Sequence, residues 1–211
     1  MQPIISTVLA TIATLSNPAL SGEHLLDSHE MSLENRYPDK GINSIFKDNI
    51  LLNMAYFDDR VKSTKDINWD SVEQPFKYEF KLKPGKTFAF QDDVLPEYKD
   101  KVDVTTHAHF NYQEGFKSDG YLVGDGVCHL ASLIYWVAKD AGLNSYAPSN
   151  HDFAVIPDIG KEYGVAIYSN PGSPDANAHQ NLYITNNKDK PVTFRFEYKE
   201  NKLSLAILED N

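Results

Sequence analysis

The stretch Gly124–Leu143 reads GDGVCHLASLIYWVAKDAGL, joining a glycine-rich turn to a long apolar segment that closes on a second glycine. Its apolar residues recur at helical spacing, and Gly142 suits the C-terminal cap of a helix. The stretch therefore predicts a loop followed by a helix buried in the core. Cys128, the only cysteine of the chain, is expected in the first turn of that helix.

The position of Cys128 allows two interpretations. Unpaired backbone N–H groups and the positive end of the helix dipole favour a thiolate at a helix start, which suits a nucleophile. A small buried cysteine is, however, also a common core residue. A single cysteine cannot form an intramolecular disulfide, so in both interpretations the thiol is free.

Composition limits the classes of function. The chain has 211 residues, enough for one domain or one domain with a small annex. Its 20 Lys+Arg and 30 Asp+Glu residues give a formal net charge of -10, which repels nucleic-acid phosphates and anionic lipid headgroups. We therefore expect neither nucleic-acid binding nor direct binding to an acidic membrane surface.

The rest of the chain predicts three parts. Residues 1–21 form a candidate signal or anchor segment, because the apolar run 4–15 has the length of a signal-peptide core, although no basic residue precedes it. A packed N-terminal helix is the alternative. Residues 22–74 form a helical annex, with a turn-rich stretch at 32–38 and a helix over 45–57. Residues 75–211 form the main domain.

Alternating apolar and polar residues predict the strands of that domain. They are expected at 76–82, 87–90, 150–157, 163–168 and 181–186, followed by a hairpin at 191–207. The predicted fold class is α+β, with a central buried helix carrying cysteine at its N-terminus and packed on an antiparallel sheet.

A second candidate catalytic residue is His151, which lies on the predicted strand 150–157. One helix and a return loop separate it from Cys128. An imidazole and a thiol brought together in this way form an ion-pair nucleophile, and a third polar group must orient the ring. Asn181 or Glu162 could orient it. Asp152 faces the opposite side of the predicted strand.

His107 and His109 lie on one face of an extended segment, at a spacing seen in metal sites. With His129 or His151 they would complete a metal site, but two polar residues at a strand edge are the simpler interpretation. The three carboxylates of Asp92, Asp93 and Glu97 are interpreted as exposed side chains of a solvated loop rather than as metal ligands. The sequence thus predicts no resident metal and no cofactor.

An ordered set of motifs from about residue 75 onward resembles the VanW-like family, named for an accessory protein of a vancomycin-resistance cluster. These motifs are the turn and strand Lys83–Phe90, the cysteine helix Gly124–Tyr135 with Ala141–Leu143, the pair Asn150-His151, the strand Asn181–Asn187, and Lys190–Val192.

The chain departs from the family pattern at four polar positions. Where the family usually has Gln after the cysteine and Ser after the histidine, this chain has His129 and Asp152. The resemblance also places Asp in the family where this chain has Asn181 and Glu162. If any of these groups takes part in chemistry, the activity here is altered or lost.

The resemblance implies a bacterial, extracytoplasmic or envelope-associated protein with peptidoglycan or cell-wall peptide as its partner. The activity of the family is not established. A looser similarity to transglutaminase-like and papain-like proteins implies a cysteine-dependent amide hydrolase or acyl transferase. In that hypothesis Cys128 is the nucleophile and His151 the base, and the substrate-binding positions are Gly124, Asp125, Gly126, His129 and Asp152. The alternative is a non-catalytic module that binds cell-wall glycan or peptide.

Overall fold

The computed structural model describes residues 22–211, which form an α+β fold with two four-stranded sheets. The strands are β1 (Glu23–Ser32), β2 (Phe76–Leu82), β3 (Thr87–Ala89), β4 (Val102–Val104), β5 (Asn144–Tyr146), β6 (Tyr183–Thr185), β7 (Val192–Lys199) and β8 (Lys202–Asp210). The helices are α1 (Lys40–Phe57), α2 (Trp69–Val72), α3 (Val127–Asp140) and α4 (Pro174–Ala178). The predicted α+β class is confirmed.

The larger sheet is antiparallel, with the strand order β1-β8-β7-β2. Strand β2 alternates as predicted and pairs with β7 along its whole length, and the rings of Phe80 and Phe194 stack with centroids 4.6 Å apart. The predicted C-terminal hairpin is also confirmed. Its turn uses Glu200 and Asn201 at φ 53 and 57, the left-handed values that suit the twist of a tight hairpin.

The smaller sheet has the order β4-β3-β6-β5 and is mixed, because β3 pairs in parallel with β4 and antiparallel with β6. Strand β6 lies within the predicted 181–186 strand, and β3 within the predicted 87–90 strand. All three residues of β3 are buried. The centre of this sheet is therefore buried, whereas its edge strands β4 and β5 are exposed or half-buried.

Helix α3 is the buried helix that the opening stretch predicts, and it packs against β1 and β8 of the larger sheet. It ends at the predicted glycine: Gly142 has φ 73, its N–H donates to Lys139 O, and the Leu143 N–H donates to Ala138 O at 2.9 Å. These are the bonds of a glycine C-cap. The helix begins after Gly126, so Cys128 is its second residue.

The segment 22–74 differs from its prediction, because it supplies a strand as well as helix. Strand β1 pairs antiparallel with β8 from Glu23 opposite Asp210 to Ser32 opposite Lys202. Most of its side chains are exposed or half-buried, so the hydropathy pattern is weak, and its partner lies at the other end of the chain. Helix α1 covers the predicted 45–57 helix and begins five residues earlier, at Lys40, after the N-cap Asp39.

The predicted strands at 150–157 and 163–168 are wrong. Within the described residues this part of the chain is a loop. It contains a 3-10 turn at Lys161–Tyr163, and one isolated bridge pairs Asn150 with Val165. The alternation at Phe153 and Val155 reflects exposed side chains rather than a buried face. The papain-like arrangement, which needs a strand carrying His151, is therefore not confirmed.

The candidate signal or anchor segment 1–21 lies outside the described residues. Across residues 22–211, no helix combines the length and the apolar composition that crossing a bilayer requires.

The start of α3 depends on a glycine, and this dependence is testable. Gly126 has φ 99, and a Cβ there would lie 2.6 Å from the carbonyl oxygen of Phe46, whereas Gly120 has φ 111 and a Cβ there would meet nothing within 4 Å. We expect Gly120→Ala to lower the free energy of unfolding by about 1 kcal/mol through backbone strain alone. Gly126→Ala should cost about 2 kcal/mol more, because α1 and α3 must move apart. Urea denaturation measures both, and equal losses would contradict the close contact.

Candidate functional site

The backbone of residues 165–167 passes the start of α3 and contacts the Cys128 thiol. The Ile167 N–H donates to Sγ at 3.3 Å, and Sγ lies 3.5 Å from the Ile167 carbonyl oxygen, to which the S–H can donate. Ser132 completes the junction, since its hydroxyl donates to Cys128 O at 2.7 Å and accepts the Val165 N–H at 2.9 Å. Segment 165–167 is thus joined to the first turns of the helix.

This environment disfavours the thiolate. Desolvation raises the pKa of Cys128 to about 11, the Ile167 N–H partly opposes that rise, and the Asp125 carboxylate adds to it. The residue as a whole is partly exposed, but the atoms packed around Sγ make desolvation the largest effect. The direction is opposite to the one expected from the helix start alone, because burial outweighs the helix dipole.

His151 lies in the loop after β5, and its ring packs edge-to-face against that of another histidine. Its ring is 6.0 Å from the ring of His129 and 4.0 Å from that of Phe153, measured between centroids. Its Nδ1 is buried without a hydrogen-bond partner, and desolvation lowers its pKa. Within residues 22–211, no hydrogen bond joins His151 to Cys128. The predicted nucleophile and base are therefore not paired in this conformation.

His129 occupies the interior between α1 and the His151 loop. It is buried, its ring lies 5.2 Å from that of Phe46, and its Nδ1 has no hydrogen-bond partner in the described structure. Its pKa is lowered to about 3, mainly by desolvation and to a smaller extent by the positive charge of Arg36 and by the neighbouring His151. His129 is therefore neutral near pH 7, and the lowered pKa of His151 also favours its neutral form.

The two residues predicted to orient His151 are engaged elsewhere or exposed. The Asn181 side chain accepts the N–H groups of Gln91 and Leu182, and it donates to the carbonyl oxygens of Gln91 and Asp93. It thereby fastens the chain after β3 to the start of β6. Glu162 is exposed in the 3-10 turn.

The predicted substrate-binding residues divide into a packed group and an exposed one. Gly124 and Gly126 have positive φ and contact Phe110 and Phe46, so they shape the entry to α3. Asp125 accepts the Asp119 N–H through Oδ2 at 3.0 Å, and its carbonyl oxygen accepts from Asn49 Nδ2 at 2.9 Å. Burial raises the pKa of the Asp125 carboxyl. Asp152, by contrast, is exposed at the rim of a cavity beside His151.

The sequence did not predict the cavity beside His151, which has a volume of about 200 Å³. We call it the His151 cavity; it is lined by His151, Asp152, Phe153, Ala154, Val155, Ile156, Ile159, Gly160 and Lys161. Its floor is buried and apolar at Ile156 and Ile159, whereas Phe153 and Val155 are 74% and 87% exposed. These two exposed apolar residues are the sequence signal for the cavity, but their alternation also predicts a strand.

The exposed residues 152–155 of the cavity lie between two anchored positions. At one end the His151 N–H donates to Gly164 O at 3.1 Å. At the other end the buried Arg36 donates to Pro157 O at 2.9 Å and forms an ion pair with Asp158. The exposed residues between these anchors are therefore presented by a loop that is fixed at each side.

The family model described as "VanW like protein" matches residues 78–208, more than half of the 211-residue chain. The chain belongs to the VanW-like family. The match covers α3 with Cys128, the residues that line the His151 cavity, and Asn181, whereas Arg36, Phe46 and Asn49 lie before it. No curated protein matches the chain. No solved structure matches it either.

The two histidines of the sequence-predicted metal pair, His107 and His109, have separate partners in this VanW-like protein. His109 Nδ1 lies 2.7 Å from Glu114 Oε1, a bond that raises its pKa, and its Nε2 is 3.8 Å from Asp92 Oδ2. His107 Nδ1 contacts Thr105 Oγ1 at 3.2 Å. In the described part of the chain, these two histidines do not form a three-ligand group with His129 or His151.

The raised pKa of Cys128 predicts slow alkylation. A shift from 9.0 to about 11 lowers the thiolate fraction at neutral pH about 100-fold relative to an ordinary thiol. The rate with iodoacetamide should therefore be about 100-fold below that of the urea-unfolded chain at pH 7, and His151→Ala should not change it. Fast alkylation below pH 7 that is lost in His151→Ala would contradict this prediction.

The lowered pKa of His129 predicts sensitivity to acid. The pKa is about 6.5 in the unfolded chain and about 3 in the folded one. Between these values the unfolded state binds a proton that the folded state does not bind. The free energy of unfolding should therefore fall as the pH decreases from 6.5, by up to about 1.4 kcal/mol for each pH unit.

Urea denaturation at several pH values measures this effect in His129→Gln, which removes the titrating group at similar size. The variant should show a shallower decrease than the wild type, and His24→Gln, at an exposed position, serves as the matched control. An unchanged slope in His129→Gln would show that another group causes the loss.

Proposed function

We propose that this VanW-like protein is a non-catalytic module that binds the peptide part of peptidoglycan at the bacterial cell envelope. The observation that carries the proposal is the apolar cavity with exposed rim residues beside His151. The Cys128 thiol supports it, because the Ile167 N–H donates to Sγ and burial raises the pKa of the thiol to about 11. The family resemblance supports the extracytoplasmic location and the cell-wall partner.

The chemistry of the His151 cavity supports a short peptide as the ligand. Neighbouring exposed apolar side chains, here Phe153 and Val155, are typical of interaction sites. A cavity of about 200 Å³ suits one small apolar side chain rather than a large ligand. The Lys161 ammonium group at the rim can pair with a carboxylate, and the neutral His151 ring offers a hydrogen bond.

A cysteine-dependent amide hydrolase or acyl transferase is the second candidate function. It is favoured by the position of Cys128 at the start of α3, where the Ile167 N–H points at Sγ and could stabilise a thiolate. In that function His151 acts as base and Asn181 or Glu162 orients it. This requires a rearrangement of the His151 loop toward Sγ, so slow alkylation that is independent of His151 supports the binding module.

Substitutions at the cavity test the proposed function. We expect Phe153→Ala and Lys161→Ala each to weaken binding to purified peptidoglycan about tenfold, since each removes a contact worth more than about 1 kcal/mol. Cosedimentation measures binding to intact peptidoglycan, and calorimetry measures binding to soluble stem peptides. Cys128→Ser should bind as the wild type does.

Two controls make the outcome specific. Tyr112→Ala removes an aromatic ring that is 64% exposed outside the cavity and should leave binding unchanged. Glycan strands freed of peptide should not bind, and if they do, the ligand is the glycan. Release of a cleaved or transferred peptide by the wild type and not by Cys128→Ser would establish the enzyme instead.

A further inference from the structure

Three side chains that the proposed site does not use converge between the edge of the larger sheet and the end of α3. His29 Nε2 lies 3.1 Å from Asp27 Oδ2 and 3.1 Å from Asp140 Oδ2. One nitrogen or oxygen from each of the three residues lies within 4.8 Å of the other two. This group, the Asp27–His29–Asp140 cluster, combines an imidazole with two carboxylates.

The local fold explains the convergence. Asp27 and His29 are two residues apart on β1, so their side chains lie on one face of the strand. The pairing of β1 with β8 shifts between Leu25 and Asp27, an irregularity of the kind that redirects side chains at a sheet edge. Asp140 is the last residue of α3, which packs against β1. Two elements far apart in sequence thus supply the cluster.

The surrounding residues hold the cluster in place. The ring of His29 stacks on Trp136 with centroids 3.6 Å apart and planes 12° apart. Trp136 in turn stacks on Tyr163, whose hydroxyl donates to Asp140 Oδ1 at 3.1 Å. A fixed imidazole and a hydrogen-bonded carboxylate are the outer support that metal ligands usually have.

The hydrogen bonds within the cluster leave one oxygen unsatisfied. His29 Nε2 can donate one proton, and its hydrogen bond goes to Asp140 Oδ2. Asp27 Oδ2 is buried and has no hydrogen-bond partner among residues 22–211, although it lies close to the same nitrogen. The Asp27 side chain is 27% exposed, but this oxygen is shielded from water, and a cation bound by all three groups would give it a partner.

We infer that the Asp27–His29–Asp140 cluster binds one divalent transition-metal ion, with Zn²⁺ as the best match. Zinc bound at about 2.0–2.2 Å by nitrogen and oxygen ligands places neighbouring ligand atoms about 3.4 Å apart in a tetrahedron. The two 3.1 Å separations are close to that value. An imidazole favours zinc over calcium or magnesium, which prefer oxygen ligands alone. Water can take the fourth position.

The inferred ion would link two parts of the chain. Strand β1 lies before the family-matched residues 78–208, whereas Asp140 lies inside them. A metal bridge would therefore fasten the N-terminal strand to the family domain at the C-terminal end of α3. The ion site is independent of the proposed peptide binding, which concerns the His151 cavity.

Calorimetry with ZnCl₂ on chelator-treated full-length protein tests the inference. We expect one Zn²⁺ to bind per chain. The affinity should fall at least about 100-fold in His29→Ala and in Asp27→Asn, because a three-ligand site loses most of its affinity when one ligand is removed. His24→Ala, at an exposed position on the same strand, should bind as the wild type does. Zn²⁺ should raise the melting temperature of the wild type and of His24→Ala but not of Asp27→Asn.

Three outcomes would overturn the inference. The first is the absence of saturable binding by the wild type. The second is binding that persists unchanged in both His29→Ala and Asp27→Asn. The third is binding that is lost instead in a His107→Ala/His109→Ala variant, which would place the ion elsewhere. Asp27→Asn keeps the shape of the side chain, so it remains informative if His29→Ala fails to fold.

Discussion

The structure depends on the close approach of α1 to the loop that starts α3. The backbone of Phe46 lies so near Gly126 that a side chain at that position would collide with it. Asn49, buried on α1, donates to the carbonyl oxygens of Lys117 and Asp125 and so holds the two ends of the intervening loop. This contact fixes where α3 begins, and with it the positions of Cys128 and His129.

Desolvation, rather than the helix dipole, sets the chemistry of the region that this contact creates. A helix start offers partial positive charge, but the atoms packed around Sγ favour the neutral thiol. The same burial keeps His129 and His151 neutral. Two uncharged imidazoles and an uncharged thiol support the proposed binding module rather than the enzyme. They form no ion pair that would activate a nucleophile.

The sequence predicted the elements whose pattern is local and periodic. Strand β2, the β7–β8 hairpin and α3 each have a clear repeat of apolar residues, because each has one face in the core. Strand β1 has no such repeat, since its existence depends on hydrogen bonds to β8 at the far end of the chain. Phe153 and Val155 misled the prediction because exposed apolar residues in a loop imitate a strand.

The candidate site was harder to predict than the fold. The spacing of Cys128 and His151 predicts that both lie near one end of α3. It does not predict their hydrogen-bond partners, because these depend on atomic positions. Asn181 illustrates this: a polar residue at a strand start suggested catalysis, whereas all four of its bonds go to backbone groups. The Asp27–His29–Asp140 cluster gave no signal, because Asp140 is distant in sequence from the other two residues.

The pairing of β1 with β8 also bears on which part of the chain can fold by itself. The family match ends at residue 208, inside β8, and the partner that covers the outer edge of β8 comes from residues 23–32, before the match begins. A chain cut to the matched residues would expose the N–H and C=O groups of β8 along an open edge, which invites pairing with another molecule. The region that defines the family by sequence is therefore smaller than the unit that protects its own sheet from self-association.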